Sequence, residues 1–127
     1  MGKRKTNEDK ARDEIIKQTK TDMETLGTYR HEFDVLIERY AEMRLQFDLL
    51  NKRWYEEGCK ITEPYTNKAG ATNERKTALY LCMEKLRLEL TDTENILGMT
   101  PKGLQAIKKK GLDQKKQSAL DRILSGK

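Results

Sequence analysis

The chain contains one histidine, His31, and two cysteines, Cys59 and Cys82, so nucleophilic or metal chemistry would have to be built on these three. A thiol or hydroxyl nucleophile needs a base within hydrogen-bond reach. His31 stands beside Glu32 at the start of a charged helical stretch, where a solvated imidazole is the commoner state. Two isolated cysteines and one histidine lack the paired spacing of a zinc site. The adjacent Glu56 and Glu57 point to different sides of a helix, which suits a solvated last turn better than an acid–base pair. There is no glycine-rich phosphate loop, no G-x-S-x-G elbow and no H-E-x-x-H pair. The expectation is a protein that is not an enzyme and uses neither cofactor nor metal.

Cations are the other chemically suggestive group. Lys3, Arg4 and Lys5 open the chain, Lys10, Arg12 and Lys17 follow, and Lys108, Lys109 and Lys110 form a second run. The net charge of +5 is unevenly spread: residues 1–20 carry seven Lys/Arg and four Asp/Glu, residues 21–100 eleven and fifteen, residues 101–127 eight and two. A mildly acidic body thus has two basic ends, a pattern that suits contact with a polyanion. The blander alternative is a pair of solvated tails. Lysines that end a helix also complement its dipole, so part of the second run has a purely structural use. Trp54 and Tyr55 could stack on nucleobases, but Trp54 falls on a core seam, which leaves Tyr65 as the better exposed aromatic.

Those residues must be positioned by helices. Charged residues make up 37% of the chain and apolar ones 35%, so the core is thin, and Val35 is the only valine, which argues against a sheet-based fold. Phe33, Leu36, Tyr40, Met43, Phe47, Leu50 and Trp54 alternate in steps of 3 and 4 and fall on one helical face. That spacing predicts a helix over about 29–57, roughly 43 Å long, ended by Gly58. A second stripe, Leu79, Met83, Leu86, Leu90, Thr93 and Leu97, predicts a partner helix with Asn73 as N-cap and Gly98 as terminator. Between them, residues 59–72 read as a polar loop, extended at most over Lys60–Glu63.

Before the hairpin, Thr6 and Asp9 have capping-box spacing ahead of a sparse apolar stripe, which predicts a marginal N-terminal helix ended by Gly27. After it, Thr100-Pro101 marks the start of a short helix that Gly111 ends, with a further candidate around 118–124. The reading is therefore all-α: an antiparallel hairpin of two long helices (28–98) between a basic N-terminal segment (1–27) and a basic C-terminal segment (99–127), each with short helices. Leu81 and Leu88 lie off the seam, on a face that a lone hairpin leaves bare, and are candidate oligomer-interface residues. Nothing in the sequence resembles a signal peptide or approaches a membrane span, which gives a cytoplasmic protein with reduced thiols as the expectation. The basic ends are too poor in Trp, Phe and Leu for a membrane-surface helix.

One resemblance adds to this. The succession Leu26-Gly27-Thr28-Tyr29, then Phe33 through Tyr40-Ala41-Glu42, then Glu57-Gly58, a polar loop, a Leu-rich helix and Leu97-Gly98-Met99-Thr100-Pro101 resembles the small terminase subunits of tailed bacteriophages. The likeness is to the branch found in phages and prophages with cos-type genomes and runs over about 23–107. It implies a DNA-packaging factor that performs no chemistry, recognises viral double-stranded DNA in the host bacterial cytoplasm, forms a ring-like oligomer and regulates the large subunit that supplies ATPase and nuclease. Met1–Lys20 departs from the proline-rich basic N-terminus common in that family. Lys3, Arg4, Lys5, Lys10, Arg12 and Lys17 are the candidate phosphate contacts, and Lys108, Lys109 and Lys110 a second patch facing DNA or the large subunit. The competing expectation is a coiled-coil adaptor that binds no nucleic acid and pairs its heptads with a partner chain.

Overall fold

The computed structural model describes residues 4–110. Helix α1 (Asn7–Leu26) starts at a capping box: the Thr6 hydroxyl accepts from the Asp9 amide while the Asp9 carboxylate accepts from the Thr6 amide. It ends on Gly27, whose φ of +77° is the left-handed turn that favours glycine. A 3-10 turn (His31–Phe33) leads into α2 (Asp34–Glu56), so the long helix begins about one turn later than the apolar spacing predicts. Two short strands, β1 (Thr62–Thr66) and β2 (Thr72–Lys76), precede α3 (Ala78–Ile96), and α4 (Pro101–Lys109) closes the described chain.

Helix α2 is central, packed by α1 on one flank and by α3 on another, all in antiparallel succession. One core cluster, built on Met23, Ile37, Tyr40, Leu90 and Leu97, draws on α1, α2, α3 and the residue after α3. It lies where the C-terminal ends of α1 and α3 meet the first half of α2. Among the described residues, the far half of the hairpin, from Phe47 to Trp54 and from Tyr80 to Leu86, has two helices across its section. Buried hydroxyls are satisfied locally: Thr19 donates to the Ile15 carbonyl and Thr93 to that of Glu89.

The sequence-based expectation needs correction at three places. Residues 62–76 are not a loop running into a helix but an antiparallel hairpin, pairing Thr62 with Lys76 and Thr66 with Thr72. The fold is thus mostly helical with a small two-stranded sheet. Asn73 lies in β2, and the N-cap of α3 is Thr77, whose hydroxyl accepts from the Tyr80 amide. The N-terminal helix is 20 residues long rather than short. Its stripe is sparse, yet Ile15, Ile16 and Met23 need only cover one flank of α2, and tertiary packing supplies what intrinsic propensity does not. Gly111 and residues 118–124 lie outside the described residues.

The exit from α3 is the tightest part of the fold. Gly98 has φ +74°, and a Cβ there would meet Ile107 Cδ1 at 2.5 Å and Thr28 Cγ2 at 3.0 Å. Thr100 caps α4 by accepting from the Gly103 amide and also bonds the Asn95 side chain. Gly103 lies against the backbone of Asn95, where a Cβ would sit 2.7 Å from the carbonyl carbon and closer still to its oxygen. Only glycine lets α4 approach α3 this closely.

Candidate nucleic-acid and assembly surfaces

The chemically competent residues are scattered. His31 is exposed, with Nε2 3.4 Å from Glu32. Cys59 and Cys82 are free thiols at the surface, and among the described residues no three His, Cys, Asp or Glu side chains converge as metal ligands would. Among those residues, too, no helix is long and apolar enough to cross a membrane.

The N-terminal cations divide into two sets. Lys5 Nζ lies 2.6 Å from Asp13, and the hydrogen bond it donates holds the Asp13 carboxyl below its ordinary range. Arg12 lies on the packed side of α1, with Nη1 3.1 Å from Glu42 of α2. That hydrogen bond raises the guanidinium's already high pKa, and Arg12 Nε is enclosed without a hydrogen-bond partner. Lys5 and Arg12 therefore brace α1 internally. Arg4, Lys10 and Lys17 are exposed and have no ion pair among the described residues, but Glu14 shares the solvent face of α1 with the two lysines. Lys3 lies outside the described residues.

Helix α4 has the more uniform charge. Lys108, Lys109 and Lys110 are exposed at its end, and Lys102 adds a fourth exposed lysine near its start. No acidic residue falls between Met99 and Gly111, and none of the four makes an ion pair among the described residues. Sequence reasoning passed over Lys102; the absence of acids from that stretch could have flagged it. Gly103 and Ile107 are buried against α3, so the lysines are held on a fixed element rather than on a free tail.

No protein-family model, no curated protein and no solved structure matches the chain.

Leu81 and Leu88 are 51% and 70% exposed, seven residues apart on the side of α3 turned away from Met83, Leu90 and Leu97. Beside them, between α2 and α3, runs an open groove of about 470 Å³, lined by Leu49, Leu50, Cys82 and Leu86 with Lys85 and Glu89 at its rim. Leu49 is itself half exposed.

Of the aromatic candidates, Trp54 has a structural role, while Tyr55 and Tyr65 are exposed. Trp54 Nε1 donates to the Lys60 carbonyl at 2.9 Å, and the ring packs edge-on to Tyr55. Lys60 O also accepts from the Thr77 hydroxyl, and the Thr77 amide donates to Ile61 O, so this knot ties the base of the β-hairpin to both long helices. Tyr65 is 43% exposed, but the Arg75 guanidinium lies 4.3 Å over its ring centroid and covers one face.

Proposed function

We propose that this protein is a DNA-packaging factor of the small terminase subunit type. In this reading it associates with copies of itself in a ring, binds viral double-stranded DNA through its lysine-rich ends in the host bacterial cytoplasm, and regulates a large subunit that supplies the ATPase and nuclease. The observation that carries the DNA-binding part is α4, whose Lys102, Lys108, Lys109 and Lys110 are exposed, make no ion pair among the described residues and are seated on the body through Gly103 and Ile107. Fixed lysines neutralise phosphates without first losing the freedom of a tail, and a symmetric assembly repeats the patch so that weak contacts add. The N-terminal patch contributes less, because Lys5 and Arg12 are engaged within the chain. Arg4, Lys10 and Lys17 remain as its available cations.

Such binding depends on salt. Each phosphate contact contributes about −0.9 to the slope of log K against log salt. Replacing Lys108, Lys109 and Lys110 by alanine is expected to flatten that slope by up to about 2.7 for each copy that engages the duplex. Fluorescence anisotropy on packaging-site and scrambled duplexes, between 50 and 200 mM salt as the order-of-magnitude range, measures it. A slope unchanged by the triple substitution removes α4 from the interface. No titratable binding of either duplex by the native protein favours the adaptor, for which Leu81 and Leu88 are the contact with a partner chain.

A further inference from the structure

Between α4 and the end of α3 lies an open slot of about 350 Å³ with a floor of Phe33, Ile96 and Ile107. Ile107 is buried and Phe33 half-buried, whereas Ile96 is 56% exposed and lies off the seam of Met83, Leu90 and Leu97. Lys102, Ala106 and Lys110 form the outer wall. Their spacing of four puts them on one stripe of α4, with the two lysines about 12 Å apart along its axis. Lys108 and Lys109 fall on other sides of the helix.

The slot has cations and no anion. Among the described residues no acid lines it, and Lys102 and Lys110 are exposed without an ion pair. The carboxylates that adjoin Phe33 and Asn95 in sequence are engaged elsewhere. Glu32 lies 3.3 Å from Arg30, Asp34 accepts from the Tyr29 hydroxyl at 2.7 Å, and Glu94 accepts from that of Tyr40 at 2.7 Å. Asp92, one turn before Ile96, lines a separate groove beside Leu36 and Met43. An apolar floor between two free lysines calls for a ligand that brings an apolar side chain and carboxylates together.

We propose that this slot docks an acidic segment of a partner protein, seating a Leu, Ile, Met or Phe side chain on Ile96 and Phe33 between carboxylates that meet Lys102 and Lys110. The distance between the lysines matches about eight residues of helix or four of strand in the partner. A DNA duplex would satisfy the lysines but has no apolar side chain to offer, and Ile96 would stay in water. The inference draws neither on the DNA reading nor on the ring.

The test is selection on the immobilised full-length protein from a display library of random peptides about 12 residues long, enough to pass both lysines as helix or strand. Enriched peptides are expected to carry Leu, Ile, Met or Phe with Asp or Glu on both sides. A labelled consensus peptide, titrated by fluorescence anisotropy, should bind Ile96→Ser and the double variant Lys102→Glu, Lys110→Glu about tenfold more weakly than the native chain. Its counterpart with the acids changed to lysine should bind only the double variant, a reversal that misfolding cannot produce. All three positions are exposed, and circular dichroism checks the fold. A selection that enriches nothing, a consensus without flanking acids, or equal binding to Ile96→Ser overturns the proposal. So does a fall in duplex affinity with Ile96→Ser, which gives the slot to DNA, or a fall in solution mass, which gives it to a second copy. A native protein that binds the peptide and no duplex removes the packaging reading and leaves this one standing.

Discussion

Gly103→Ala is a decisive perturbation because two effects of opposite sign meet in it. In an exposed helix interior, replacing glycine by alanine stabilises by about 1 kcal/mol through backbone entropy. Here the added Cβ would point at the main chain of Asn95, 2.7 Å from its carbonyl carbon and 2.8 Å from its Cα. Ordinary carbon–carbon contact is near 3.5 Å or more, and main chain inside α3 cannot swing aside as the tip of a long side chain can. Overpacking of this kind costs about 1–3 kcal/mol, occasionally more. If α4 lifts away instead, Ile107, only 4% exposed, is uncovered, and re-exposing such a side chain costs about 1.5–3 kcal/mol. Set against the gain of about 1 kcal/mol, either route leaves a net loss of about 1 kcal/mol, a fall of roughly 3–6 °C in melting temperature for a domain of this size. Thermal and urea unfolding followed by circular dichroism measures it. A melting temperature equal to or above that of the native protein would show that α4 is not seated on α3 as described. Gly70→Ala is the control: φ there is +87° with nothing within 4 Å of the Cβ, so only backbone strain of about 1–2 kcal/mol should appear.

Other outcomes follow from single contacts. The Tyr40 phenol is pushed well above the usual tyrosine range, first by burial and then by its hydrogen bond to Glu94. Its folded pKa is the higher, so its contribution to stability is complete below the ordinary tyrosine value near 10 and is lost as pH rises beyond it. Urea midpoints should fall above about pH 10, and Tyr40→Phe should lower the neutral-pH stability by about 1 kcal/mol while making that alkaline fall shallower. Trp54→Phe removes the 2.9 Å bond to Lys60 O; about 1 kcal/mol of stability should go with it, and amide exchange should speed up in β1 and β2 while helical content stays constant. Thr6→Ala breaks the capping box of α1 and should cost about 1 kcal/mol, seen as faster exchange over the first turn.

The two long helices were legible because their apolar residues repeat in steps of 3 and 4, and the caps at Thr6 and Thr100 because each follows a spacing rule. The β-hairpin was not. Thr62–Thr66 and Thr72–Lys76 are almost wholly exposed, so no alternation of apolar and polar residues announces them. Pro64 and Gly70 pointed to a loop instead. Asn73 was a credible cap by residue type, but the hydroxyl of Thr77 is the one that meets a free amide. Lys5 and Arg12 show the limit of reading charge from sequence: the partner of Lys5, which precedes α1, is Asp13 in the second turn of that helix, and the partner of Arg12 is Glu42 on α2. The lysines of α4 carry over better, because no acid falls between Met99 and Gly111 and none of them makes an ion pair among the described residues.

The pairing of elements has a kinetic consequence. Each main contact joins elements close in the order of synthesis: α1 with α2, β1 with β2, α3 with α4, and α2 with α3 across the short β-hairpin. Such a chain forms most of its structure from short-range encounters, the arrangement associated with fast folding. One seam is different. Gly98 lies beside Thr28, seventy residues earlier, and it joins the start of the bundle to its end. That seam is complete only when α4 has arrived, so the last helix to be made locks the end of the first against the exit of the third.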